Sequence, residues 1–311
     1  MRLANSLSEF MFGPDVVYEE RTAVKMLADA GFDAIAVSLS QIMRDDHRYS
    51  QPDYLHHAQA SRTWANDLGI SFNITHSLFP VYKQGQAAFN QKAWEKLLRS
   101  LEITAKLGAT HMVVHPFALG YGNAWEENVR FFDALTPYIR NSGIKVALEN
   151  SFWLTAARVK QHRELHGTKV VMREEIVPPA RMNLVGGFSR DLLALVEALD
   201  PDCFAVCLDI GHCVLLREEP EDAIRTLGKR LECLHVHDND GEQDLHAIPY
   251  DRVGCIDWDR VTAALRDVHY TGDFTLEVDQ LTPKLPPPLQ LDGLRFLERT
   301  GRYLMNKVLA D

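Results

Sequence analysis

The stretch Leu231–Asp240, LECLHVHDND, reads as a buried strand that runs straight into a cluster of polar groups. Leu231, Cys233, Leu234 and Val236 make up its apolar part; His235, His237, Asp238, Asn239 and Asp240 crowd its end. Side chains alternate faces along a strand, so His235 and His237 point the same way. Two imidazoles on one face beside carboxylates are metal-ligand chemistry. The other reading is a polar loop after a strand, with the imidazoles bonded to backbone groups. The remaining strand ends decide between the two.

Outward from this stretch, strand-like and helix-like segments alternate. Strands are expected at 2–7, 32–39, 70–76, 110–115, 144–150, 204–209, 231–237 and 274–279. Helices are expected at 16–30, 52–68, 89–107, 126–141, 221–230, 258–268 and 291–308, several of them stopping at a glycine. Strict alternation implies a parallel sheet with right-handed crossovers. Eight such units fit a closed (β/α)8 TIM barrel, one domain over residues 1–311. No GxGxxG follows the first strand, so a dinucleotide-binding fold loses its main support. The unit between Glu149 and Asp209 is too long. Its surplus, about 155–188, is an insertion after the fifth strand, read either as an active-site loop or as a solvated excursion.

The chain has 311 residues, 46% hydrophobic, with 33 Lys+Arg against 43 Asp+Glu and a net charge of −10. That balance argues against broad attraction to nucleic acid or an anionic membrane. The opening MRLANSLSEF lacks the charged region and apolar run of a signal peptide, and no apolar run reaches the length of a membrane span. The five cysteines form no CxxC pair and are expected as buried free thiols. A cytoplasmic location is therefore expected.

The strand ends, read in order, deliver His76, His115, Glu149, Asp209 with His212, His235 with His237, and Glu277. In barrels of this kind the reacting groups sit where strands end. Glu149 in VALEN and Glu277 in TLEVD lie inside apolar strands, where a carboxylate is expensive to bury unless paired or bound to metal. Their placement points to one shared cation, and two carboxylates with an imidazole suit Mn²⁺, Mg²⁺, Co²⁺ or Zn²⁺. Asp209-Ile-Gly-His212 reads as a tight turn bent at Gly211, and Asp244-Leu-His246 as a second Asp/His pair on a loop at the same rim.

The segments ALEN, CLDIGH, LHVHDND, DLHAIPYDRVGCIDW and TLEVD, in that order, resemble the xylose isomerase-like TIM-barrel superfamily of sugar isomerases and epimerases, which also includes endonuclease IV. The resemblance runs from the second strand to the last. It implies one divalent metal ion held by Glu149, Asp209, His237 and Glu277, with Glu149 and Glu277 also acting as the acid/base pair. His76, His115, His212, Asp244 and His246 are then the expected substrate-binding residues, His212 against a substrate oxygen. A metal bridging a carbonyl and the adjacent hydroxyl acidifies the proton between them. The implied activity is a metal-dependent sugar isomerase or epimerase acting on a small ketose or polyol-derived carbohydrate. Positions 238–241 read Asp-Asn-Asp-Gly, without the Arg that the epimerases place soon after the metal-binding His.

Two other outcomes fit the same residues. Proton removal followed by loss of a leaving group gives a dehydratase or lyase acting on an inosose-like or 3-keto sugar. An endonuclease IV-like zinc phosphodiesterase would use nine ligands, His76, His115, Glu149, Asp209, His212, His237, Asp244, His246 and Glu277; the acidic net charge counts against it. Nucleic acid and membrane are not expected partners, and the resemblance allows a homo-oligomer.

Overall fold

The computed structural model describes residues 1–7, 20–152, 185–278 and 281–310. Its strands are β1 (Leu3–Leu7), β2 (Ala34–Ser38), β3 (Ser71–His76), β4 (His111–Val114), β5 (Lys145–Glu149), β6 (Phe204–Asp209), β7 (Leu231–His235) and β8 (Phe274–Leu276). All eight belong to one sheet in the order β7-β6-β5-β4-β3-β2-β1-β8, and every pairing is parallel. A single bridge between Val236 and Leu276 joins the two ends of that order. There Val236 N donates to Thr275 O at 2.9 Å and Glu277 N to Val236 O at 3.1 Å. The expected (β/α)8 barrel is the observed fold.

The helices are α1 (Glu20–Ala30), α2 (Tyr54–Asp67), α3 (Ala87–Leu107), α4 (Ala124–Asp133), α5 (Thr136–Ser142), α6 (Ser189–Glu197), α7 (Ile210–Leu215), α8 (Pro220–Leu227), α9 (Trp258–Asp267) and α10 (Pro287–Leu309). Each longer helix buries one stripe. In α3 it is Ala93, Leu97, Leu101 and Thr104, the three- and four-residue steps of an amphipathic helix. These stripes meet the outward strand residues, among them Val146 and Leu148, in one continuous core. Each fully buried Leu or Val there contributes roughly 1.5–3 kcal/mol.

The inward strand residues form a second apolar cluster, Ala36, Ile74, Val113, Ala147, Cys207 and Cys233. It fills the barrel below the site. Two residues further along each strand, on the same face, stand His76, His115, Glu149, Asp209 and His235. One layer of small apolar groups thus supports one layer of imidazoles and carboxylates. On β3 the register shifts between Ile35 and Ala36 of β2, opposite Asn73, and beyond that shift Ile74 and His76 pair with Ala36 and Ser38.

Several expected boundaries move for local reasons. The helix expected at 126–141 is two, α4 and α5, because Pro137 in the first turn of α5 has no N–H and blocks a continuous helix. The last helix starts inside the proline-rich connector, at Pro287, a position where the missing N–H is harmless. Asp209-Ile-Gly-His212 is no free turn. Asp209 is the N-cap of α7 and its carboxylate accepts from His212 N at 2.8 Å. Residues 16–19 of the first expected helix, and most of the 155–188 insertion, lie outside the described residues. Among the described residues no helix is long and apolar enough to cross a membrane. All five cysteines are free; Cys203, Cys207, Cys213 and Cys233 are buried, and Cys255 is exposed.

Candidate active site

At the C-terminal end of the barrel, Glu149 on β5 is the hub. Its Oε2 lies 3.1 Å from His76 Nε2 and 3.1 Å from His115 Nε2. Its Oε1 accepts from His235 Nδ1 at 2.7 Å. The same nitrogen lies 3.3 Å from Glu277 Oε2, so His235 stands between the two carboxylates. On the neighbouring strand, Asp209 lies 3.0 Å from His237 Nε2 and 3.9 Å from His212 Nε2. Asp244 reaches back from its loop: Oδ2 is 3.0 Å from His246 Nε2 and 3.7 Å from His212 Nε2, and Oδ1 is 3.8 Å from His237 Nε2. The His237 and His246 rings stack at 4.2 Å.

All nine residues singled out from the sequence therefore meet in one cluster. Within it, donor atoms approach to within 4.8 Å of one another in five overlapping sets. These are His76, His115 and Glu149; Glu149, Cys207 and His235; Asp209, His212 and His237; His237, Asp244 and His246; and Glu149, Asp209, His235 and Glu277. Three of the four residues read as one ion's ligands, Glu149, Asp209 and Glu277, share the last set. His235 completes it, while His237 joins Asp209 in the adjoining one.

Burial and charge explain why the groups hold together. Glu149, Asp209, His235 and His237 are buried, and His76, His115, Asp244, His246 and Glu277 are part-exposed toward the rim. Burial would raise the Glu149 carboxyl, but the charges of His115 and His235 and the hydrogen bonds from His235 and His76 hold it well below the usual range. Asp209 is likewise held at about 2 against its burial, by His212 and His237. Burial works against the cation on His235, yet Glu149 and Glu277 push it up to about 10. His212 reaches about 10 in the same way, through Asp209 and Asp244. Burial, together with its imidazole neighbours, drives His115 down to about 4. The unlike charges offset one another here, and Asp244 Oδ1 is left buried without a hydrogen-bond partner among the described residues. A carboxylate oxygen without a donor, facing imidazoles, fits a divalent cation.

His235, read from the sequence as facing the same way as His237 but left out of the expected ligand set, stands inside the cluster; the period-two step from Ala147 to Glu149 and Cys207 to Asp209 also leads from Cys233 to His235. Two further residues, Asn150 and Ser151, are missing from the sequence-derived set. The Asn150 side chain accepts from Asp209 N at 2.7 Å and donates to Asp209 O at 2.9 Å, and its carbonyl accepts from His212 Nδ1 at 2.8 Å. It fixes both Asp209 and His212, and the signal was its place directly after Glu149. Ser151 Oγ holds His115 Nδ1 at 3.0 Å. Gly211 acts through space rather than by bending: a Cβ there would stand 2.1 Å from His237 Cε1. At the mouth, Phe79 meets the His115 ring edge-on at 5.0 Å and Phe152 lies 4.7 Å from the His212 ring.

Not all of the polar run after β7 serves the site. Asp238 is buried and accepts from the backbone N–H groups of Asn239 and Cys255 at 3.0 Å and from Trp258 Nε1 at 2.8 Å. It closes the loop that carries Asp244 and His246. Asn239 donates to Gly211 O at 2.9 Å and ties that loop to α7.

The sequence signature of the xylose isomerase-like TIM barrel family matches residues 24–300, and the chain belongs to that family. A protein of Sinorhizobium fredii, y4fM, itself uncharacterized, is 26% identical over 195 residues, which is 60% of this chain and 53% of that protein; the match thus spans about half the relative's length. The 3-oxo-isoapionate decarboxylase of Pectobacterium atrosepticum is 40% identical over 50 residues, 16% of this chain and 18% of that enzyme. Among solved structures, a D-psicose 3-epimerase with D-fructose superimposes with a TM-score of 0.71 at 17% identity, covering 98% of this chain and 99% of its own. The IolI protein with a bound zinc atom superimposes with a TM-score of 0.71 at 15% identity, with full coverage of both chains.

Proposed function

We propose that the chain is a divalent-metal-dependent sugar isomerase or epimerase that moves a proton at the carbon next to a carbonyl. The observation that carries this reading is the four-residue set in which Glu149 and Glu277 share space with Asp209 and an imidazole at the mouth of the barrel. A divalent ion there would polarise the substrate carbonyl and stabilise the charge that develops on its oxygen. Glu149 and Glu277 would take up and return the proton. His76, His115, His212, Asp244 and His246 line the part-open side, where a sugar's hydroxyl groups would bond, and Phe79 and Phe152 would exclude water. The epimerase and the zinc-containing IolI protein of the same fold support this class of reaction and a metal, without fixing the substrate. A small, unphosphorylated carbohydrate and a reducing, cytoplasmic setting fit the acidic surface and the free thiols.

Two imidazoles compete for the fourth ligand position: His235, already inside the set, and His237, which the sequence resemblance implies. Metal content separates them. If His237→Ala loses the ion and His235→Ala keeps it, His237 is the ligand; the reverse, with His235→Asn losing the ion as well, selects His235.

The test is proton exchange in heavy water. The protein is stripped, reloaded with Mn²⁺, Mg²⁺, Co²⁺ or Zn²⁺, and offered ketoses, inososes and 3-keto sugars. Deuterium entering the carbon next to the carbonyl, and failing to enter with Glu149→Gln or Glu277→Gln, is the expected result. A metal-loaded protein that exchanges nothing on any of them sinks the reading. Product mass separates the outcomes. Loss of mass would favour the lyase reading, which the short match to a decarboxylase supports. A second class, the multinuclear phosphodiesterase, draws support from the adjoining donor sets around His76 with His115 and around Asp244 with His246. Three bound ions per chain together with cleavage of an abasic-site duplex would replace the isomerase by that reading.

A further inference from the structure

The floor of the barrel, at the opposite ends of the strands from the site, has a construction of its own. Two strands carry one extra residue each. On β3, Phe72 and Ile74 pair with Ile35 and Ala36 of β2 and leave Asn73 unmatched; on β7, Leu231 and Cys233 pair with Val206 and Cys207 of β6 and leave Glu232 unmatched. A bulged residue escapes the alternation of faces and its side chain is re-aimed. Both line one cavity of about 200 Å³, together with His111, Thr271, Asp273 and Thr275 among others.

This cavity sits where the ring of strands is open. Among the described residues β7 and β8 are paired only at the bridge between Val236 and Leu276, toward the site. Below that bridge a phenol takes the place of a ladder: Tyr270 Oη donates to Asp273 O at 2.9 Å and lies 3.4 Å from Glu232 O.

What the cavity lacks identifies its occupant. Its carboxylates already face cations: Glu232 lies 2.7 Å from Lys145 Nζ and 3.0 Å from His111 Nε2, and Asp273 accepts from Arg2 Nη2 at 2.6 Å. A free cation therefore gains little there. The unmet group is an acceptor. Asn73 is 1% exposed; its Nδ2 donates to Thr275 Oγ1 at 2.9 Å, while its Oδ1 has no hydrogen-bond partner among the described residues. Leaving such an oxygen unmet costs about 1–3 kcal/mol. An unprotonated anion brings no proton to it. A hydroxyl group does, and it can bond the threonine hydroxyls of the same cavity as well. The volume falls below the ~300 Å³ at which pockets for drug-sized ligands begin.

We propose that the barrel floor is a second binding site, for a neutral polyol of about three to five carbons that gives a hydroxyl proton to Asn73 Oδ1 and spans the gap between β7 and β8. It holds whatever reaction the other end performs.

Titration of the whole chain with glycerol, erythritol and xylitol tests it, followed by saturation-transfer NMR and by backbone hydrogen exchange. The expected result is saturable binding of one molecule per chain at the floor, none of acetate or methylammonium, and slower exchange at the amides around Glu232 and Thr275. Asn73→Leu keeps the size of the side chain but removes the acceptor, and should weaken binding about tenfold. Thr271→Trp, at an exposed position on the cavity wall, should block it without touching the core, and decides the matter alone if Asn73→Leu does not fold. Binding that survives Thr271→Trp, or protection confined to the site end of the strands, overturns the proposal. So does failure of all three polyols to saturate, which leaves ordered water as the cavity's only occupant.

Discussion

At the scale of single residues, the site is a layer and not a motif. His76, His115, Glu149, Asp209 and His235 occupy one level of the barrel because each stands two positions beyond a small apolar residue facing inward. The sharpest consequence concerns Gly211, which touches no ligand by hydrogen bond and yet is pressed against His237. Gly211→Ala should push that ring away from Asp209 and lower metal affinity by about 10–100-fold, measured by metal titration, while circular dichroism stays native. At His235, Ala removes the donor that joins Glu149 to Glu277, whereas Asn keeps an N–H at the Nδ1 position. If His235 positions those carboxylates, Asn should retain most of the metal affinity and Ala should lose about tenfold or more. If both lose the ion equally, His235 is itself a ligand. The nine residues that the structure gathers into one cluster were legible because imidazoles and carboxylates recur at the ends of successive apolar strands and on one rim loop. Asn150 and Ser151 were not, since an amide or hydroxyl beside a strand end has many ordinary roles and only the fold shows which backbone it holds.

At the scale of elements, the alternation of strand and helix was plain in the sequence, while the boundaries were set by chemistry outside any periodic pattern. Pro137 splits a helix whose apolar spacing runs straight through it, and Pro287 begins one whose neighbours look like a linker. β7 and β8 are shorter than their apolar runs because their last residues turn to the site and to the closing bridge. The opposite ends of three strands carry their own network. Glu232 on β7 accepts from Lys145 Nζ of β5 at 2.7 Å and pairs with His111 Nε2 of β4 at 3.0 Å. Against its partial burial, His111 and Lys145 hold Glu232 at about 2. A depressed carboxyl stabilises the fold fully above its ordinary range, near 4.5, and loses that contribution as pH falls toward 2. Glu232→Gln should therefore cost about 1–2 kcal/mol at neutral pH. Urea midpoints of variant and parent should converge as the solution is acidified; a constant gap would refute the assignment. Asp238→Ala should be more severe, about 3 kcal/mol, because it strands several buried backbone donors and the Trp258 indole together.

At the scale of the whole molecule, the barrel's ring of hydrogen bonds is uneven. Among the described residues seven of its pairings are ladders, and the eighth, between β7 and β8, is the lone bridge at Val236 and Leu276. On either side of that bridge stand His235, His237 and Glu277, and an ion shared by them with Glu149 and Asp209 would span the seam. Stripping the metal should then lower the melting temperature, and an ion at about a thousandfold above its dissociation constant should return about 4 kcal/mol. Hydrogen exchange should locate the change, with the amides of Val236 and Glu277 opening faster in chelator while those of β2 and β3 hold. Uniform acceleration around the ring would contradict it. With the proposed ion bound, the barrel would be a bracelet whose catch is its own candidate site. On that reading a chain without metal would be both idle and unlatched, proteolysis would remove it, and its amount would follow the supply of the ion.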